Sequence, residues 1–166
     1  MNYGVTNVKQ AYDTIEIIKI IALQQKSNTG KTTVITKLYH KLSISYKKLN
    51  FQKENDYEDF SAVFVIDSHI VGITSIGDSE KDLQHAFDFF EKQNCELAVV
   101  CCHKKNDSGK SKKYIITKAH EYKTDIIWYT KSYLQQWNAL YNICEEVDAM
   151  NDIQARILMQ EILLQI

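Results

Sequence analysis

Apolar runs rich in β-branched residues alternate along this chain with stretches whose apolar side chains recur at helical spacing, and that alternation leaves few architectures open. Ile15–Leu23 reads as a buried strand. After the polar loop Gln24–Thr32, the positions Val34, Ile35, Leu38 and Leu42 mark one face of a helix over Thr33–Leu42. Ala62–Ile66 and Ile70–Ile76 are strands divided by Asp67-Ser68-His69, a turn that predicts an antiparallel hairpin. Asp78 or Ser79 caps the next helix, Glu80–Gln93, whose Leu83, Ala86, Phe87 and Phe90 share a face. A strand over Glu96–Cys102, a helix over Tyr114–Lys123 and a strand over Asp125–Tyr129 follow. The chain ends in helix, with a break expected near Asp148–Asp152, and the polar stretch Ser43–Asp59 is expected to be a mobile connection. Strands alternating with helices predict an α/β fold: a mainly parallel sheet flanked by helices, with a hairpin after the first helix and a helical C-terminus.

A chain of 166 residues is expected to make a single domain over 1–166. Its segment 132–166 carries apolar side chains nearly all round, which suits packing on the sheet or a surface for a protein partner or a homo-oligomer. The net charge of -1, from 20 basic and 21 acidic residues, draws it toward neither nucleic acid nor an anionic membrane. Met1–Thr6 has no basic segment leading into an apolar core, and Lys19, Asp67 and Glu96 interrupt the longest apolar runs, so a cytoplasmic protein is expected. The four cysteines have no CxxC spacing. Cys95, Cys101 and Cys102 lie on or beside one apolar strand and are expected as buried reduced thiols.

The richest segment chemically is Lys26-Ser27-Asn28-Thr29-Gly30-Lys31-Thr32-Thr33, where a strand runs directly into a loop and an amphipathic helix runs directly out. Such a loop turns its backbone N–H groups toward phosphate oxygens, and the helix N-terminus adds donors and a favourable dipole. Lys31 supplies a mobile point charge for the β- and γ-phosphates, and Thr32 a hydroxyl for Mg²⁺, a hard cation that takes oxygen ligands. The segment resembles the Walker A motif of the P-loop NTPase superfamily, G-x-x-x-x-G-K-[ST]. Gly30-Lys31-Thr32 match its second half, and Gln25 stands where the pattern has its first glycine. The resemblance implies a P-loop NTPase-like three-layer sandwich and Mg²⁺-dependent binding of ATP or GTP.

A Mg²⁺–nucleotide site also needs a carboxylate at the end of a strand beside the loop. Asp67 ends the run Val63–Ile66, and Asp78 follows the run Gly72–Gly77. Only one strand of a hairpin has its C-terminal end on the loop side. The second leads into a helix, so Asp78 is preferred to Asp67 as the metal ligand. His103, at the end of the next strand, is positioned to hold water or sense the phosphate. A second Gly-Lys-Ser, Gly109-Lys110-Ser111, lies in a loop with Lys104, Lys105, Lys112 and Lys113. That loop reads as a solvated basic surface, or as a phosphate-facing lid through Lys105 and Lys110.

Phosphoryl transfer calls for positive charge on the equatorial oxygens, which arginine's planar fork supplies best. Arg156, in the C-terminal helix, is the one arginine of the chain. That shortage disfavours a small-molecule or nucleotide kinase with a lysine-rich lid, the runner-up, and predicts slow intrinsic hydrolysis. The guanine-reading pattern N-K-x-D is met only by Lys104-Lys105-Asn106-Asp107, with lysine in place of the first asparagine, so ATP is favoured over GTP. The expected protein is a small nucleotide hydrolase or nucleotide-driven switch in which Lys31, Asp78 and His103 act on the phosphates. A non-catalytic nucleotide-binding or partner-interaction module is the third reading.

Overall fold

The computed structural model describes residues 18–25, 30–54, 58–103, 109–130 and 144–166. In chain order the elements are β1 (Lys19–Gln25), α1 (Lys31–Ser45), β2 (Lys47–Lys53), β3 (Phe60–Ile66), β4 (His69–Thr74), α2 (Glu80–Lys92), β5 (Leu97–His103), α3 (Lys110–Tyr122), β6 (Ile126–Thr130) and α4 (Cys144–Gln165). The six strands form one sheet in the order β2-β3-β4-β5-β1-β6. Strands β4, β5, β1 and β6 are mutually parallel, and β3 runs against both of its neighbours. The fold is α/β with a mostly parallel sheet.

Side chains alternate across a strand, so both faces of a central strand must be apolar when helices cover both. Ile21, Leu23, Val99 and Cys101 point into a core with Val34, Ile35, Leu38 and Leu42 of α1 and Ala155, Leu158 and Ile162 of α4. Their neighbours Ile20, Ala22, Val100 and Cys102 point the other way, against Leu83, Ala86, Phe87 and Phe90 of α2 and Ile115 and Ala119 of α3. Hence β1 and β5 read as unbroken apolar runs. Outside that core, α4 exposes Ile153, Ile157 and, most of all, Leu164, which is 78% exposed. Among the described residues no helix is long and apolar enough to cross a membrane.

Three local expectations are corrected. Part of the stretch taken as a connection is the edge strand β2, hydrogen-bonded to β3 alone. All seven of its residues are exposed, so it has no buried face to leave a period-two signature. Helix α4 runs unbroken through residues 148–152. Asp148 and Asp152 bond Lys37 and Lys41 of α1, at 3.0 and 2.7 Å, and tie the two helices together. Helix α3 begins at Lys110, ahead of Tyr114. Strand β1 starts at Lys19, and Ile15–Ile17 lie outside the described residues, as do Lys26, Ser27, Asn28, Thr29, Lys105 and 132–143.

Burial pushes the Cys101 thiol up to about 12 and the Cys102 thiol to about 11, the nearby Lys31 charge offsetting only part of it. The thiolate is the reactive form. Cys101 and Cys102 are therefore expected to resist alkylation in the native protein and to react only on unfolding. Site-resolved mass spectrometry after labelling with and without denaturant checks this, and native labelling of either would contradict the packing of β5.

Candidate functional site

Adjacent parallel strands whose following helices lie on opposite faces leave a crevice at their carboxyl ends. Here β1 and β5 pair in parallel, with α1 on one face and α3 on the other. The crevice between them is where Lys31 and His103 meet.

Gly30 precedes α1 with φ 82°, a left-handed conformation that glycine adopts without steric penalty, and makes no side-chain cap. No residue of the first turn is itself acidic, so the helix supplies no carboxylate of its own at its positive end. The next residue, Lys31, turns inward, and its side chain is only 8% exposed. Its ammonium donates to Asp78 Oδ1 at 2.9 Å and lies 3.3 Å from both ring nitrogens of His103. His103 Nε2 is itself 2.8 Å from the same Asp78 oxygen. A proton on Nε2 satisfies both contacts, since Nε2 then donates to Asp78 while Nδ1 accepts from Lys31.

Asp78 reaches this position because the helix after it is capped by its neighbour. Ser79 Oγ accepts from the Asp82 N–H at 3.1 Å, which leaves the Asp78 carboxylate to the crevice. Burial works to raise the Asp78 pKa, but the hydrogen bond and charge of Lys31, with those of His103, outweigh it and hold the carboxyl below its ordinary value. The carboxylate side chain is 72% exposed, so a buried cation is paired with an anion that solvent reaches.

The sheet therefore brings Lys31, Asp78 and His103 together. It does so although β5 separates β4 from β1, where a strand next to β1 was expected to carry the carboxylate. Asp67 is placed elsewhere. It sits in the β3–β4 turn with φ 47°, at the end of the sheet where β4 begins, opposite the crevice, and is exposed. It is a turn residue in a left-handed conformation, and the structure does not bring it together with Lys31, Thr32 and Asp78.

Thr32 does not face Asp78. Its hydroxyl donates to Asp59 Oδ1 at 3.3 Å, and the Ser75 hydroxyl donates to the same oxygen at 3.0 Å. The sequence reading missed Asp59. The signal was the hairpin itself, because the first strand of a hairpin begins where the second ends. Thr33 is exposed on the first turn of α1.

Around the second Gly-Lys-Ser, Gly109 has φ 60° and Lys110 is exposed at the start of α3. Lys112 is not part of a solvated loop: its ammonium donates to Gln24 Oε1 at 3.3 Å and lies 4.9 Å from the Trp128 ring centroid. Among the described residues no group of three or more His, Cys, Asp or Glu is arranged to hold a metal. Comparison with protein-family models, curated proteins and solved structures finds no match.

Proposed function

We propose that this chain binds a nucleoside triphosphate with Mg²⁺, ATP in preference to GTP, and hydrolyses it slowly or uses its occupancy as a switch. The observation that carries this reading is the buried Lys31 ammonium, held at an uncapped helix start on the carboxyl edge of a parallel sheet. A buried ammonium needs an anion. Among the described residues its anion is Asp78, which is largely exposed and can be exchanged for phosphate oxygen. His103, 3.3 Å from the Lys31 ammonium, stands beside the position the phosphate would take and can hold and polarise water there. Thr32 offers the hard oxygen that Mg²⁺ takes.

Slow turnover follows from the lack of arginine at the site. Arg156 bonds Asp152, and Asp152 bonds Lys41, about 15 Å along α1 from Lys31. The kinase reading draws less support, because Lys112 of the basic segment is committed to Gln24 and Trp128.

Calorimetric titration of the purified protein with ATP and with GTP, each with Mg²⁺, tests the proposal. Binding of ATP more tightly than GTP, with hydrolysis well below one turnover per second, is the expected result. Absence of binding by either nucleotide would remove the nucleotide reading altogether.

A further inference from the structure

We infer that Asp59, at the start of the antiparallel strand β3, is the carboxylate that shares a divalent cation with Thr32. The inference rests on the nucleotide reading and names a residue of that site which lies on none of the parallel strands.

Direction comes first. Because β3 runs against β4, its first residue lies level with the end of β4, at the same sheet edge as Lys31. The register that pairs Ser61 with Thr74 carries Asp59 to the end of β4 beside Ser75.

Fixation comes second. Ser61 Oγ donates to Thr74 Oγ1 at 2.9 Å, and Thr74 Oγ1 donates to the Phe60 carbonyl at 3.2 Å. The Ser75 N–H donates to the same carbonyl at 3.0 Å, and the Phe60 N–H donates to Ser75 Oγ at 3.0 Å. These buried bonds clamp the backbone next to Asp59, while the Ser75 hydroxyl orients its carboxylate. A carboxylate that served only as a surface charge would need no such support.

Spacing comes third. Two oxygens bound in neighbouring positions of an octahedral Mg²⁺, each at about 2.1 Å, stand about 3.0 Å apart. Thr32 Oγ1 and Asp59 Oδ1 are 3.3 Å apart, close to that spacing, and a cation taken between them replaces their hydrogen bond: each oxygen gives it a lone pair, and the threonine proton turns away from the ion. Phosphate oxygens and water complete the shell of a nucleotide-bound Mg²⁺, so one hydroxyl and one carboxylate suffice from the protein. The two acidic residues thus divide the work. Asp78 balances the Lys31 ammonium, and Asp59 serves the cation at Thr32.

The test measures binding of whichever of ATP or GTP the wild type takes, once in EDTA and once in saturating Mn²⁺. In wild type Mn²⁺ is expected to tighten binding tenfold or more. Asp59→Asn should remove that gain and leave the EDTA affinity within twofold, while Asp67→Asn, at the far end of the sheet, keeps both. Thr32→Ala should remove the same gain, and the double variant should lose no more than either single one. If Asp59→Asn does not fold by circular dichroism, Thr32→Ala and the charge-keeping Asp59→Glu decide, both being expected to lose the gain. Full Mn²⁺ gain in a folded Asp59 variant, or its loss in Asp78→Asn alone, overturns the inference and leaves the nucleotide reading standing. Failure of wild type to bind in EDTA and Mn²⁺ alike overturns both.

Discussion

Replacing Lys31 by methionine is expected to weaken nucleoside triphosphate binding by roughly tenfold to a hundredfold, the range for losing a charge-assisted hydrogen bond at a shielded site. The same change should leave the melting temperature unchanged or raise it. The wild-type ammonium is desolvated, and its carboxylate partner is exposed, so the pair gains less from attraction than a fully enclosed one. Methionine fills similar volume without that penalty. Asp78 supplies a second readout. Lys31 and His103 hold its carboxyl below the ordinary value against the effect of burial, so its titration should move to higher pH in the variant, visible by NMR. The sign for stability follows. A depressed carboxyl pKa contributes stability above the unfolded-state value, and that contribution fades as pH falls through the folded-state value. In Lys31→Met this acid limb should flatten, by a small amount given the exposure of Asp78. Undiminished binding in the variant would mean that phosphate does not meet Lys31.

How much of this was legible beforehand depends on what each residue buries. Val34, Ile35, Leu38 and Leu42 all pack as their spacing required, because a helix face against a sheet leaves a 3.6-residue signature. Leu83, Ala86, Phe87 and Phe90 did the same. Strand β2 left no trace, since Lys47–Lys53 is exposed throughout and is held by hydrogen bonds to β3 rather than by a buried face. Strand order was also hidden. Nothing in Leu97–His103 says that it inserts between β1 and β4, yet that insertion is what puts His103 against Lys31. Of the two carboxylates that the sequence offers at strand ends, Asp78 stands before a helix and Asp67 after an apolar run. Strand direction then separated them. Asp59 lay inside a stretch judged only by its polarity, and polarity does not report direction.

Gly77→Ala is expected to be the most damaging small substitution in the described chain. A Cβ at this position would stand 1.9 Å from the Cys101 carbonyl oxygen and 2.6 Å from its carbon. Gly77 does not have a positive φ, so what the site demands is space rather than backbone freedom. The obstacle is main chain. A flexible side chain swings aside, but a carbonyl in a central strand moves only if β5 moves with it. Overpacking of a core typically costs about 1–3 kcal/mol, and a backbone clash belongs at or above the top of that range. For a chain of this length about 3 kcal/mol lowers the melting temperature by roughly 6–12 °C. The functional consequence is distinct from the stability loss. Gly77 adjoins Asp78 and Cys101 lies two residues from His103, so parting these segments shifts the strand ends that shape the crevice around Lys31 and draws His103 away from it. Nucleotide affinity should therefore fall even at temperatures where the variant is fully folded, whereas Lys31→Met loses affinity without losing stability. Calorimetric melting alongside nucleotide titration at 10 °C distinguishes the two. An alanine variant that melts and binds as wild type does would show that the ends of β4 and β5 can separate without consequence, and the close approach of Gly77 to Cys101 would then not be what aligns the crevice.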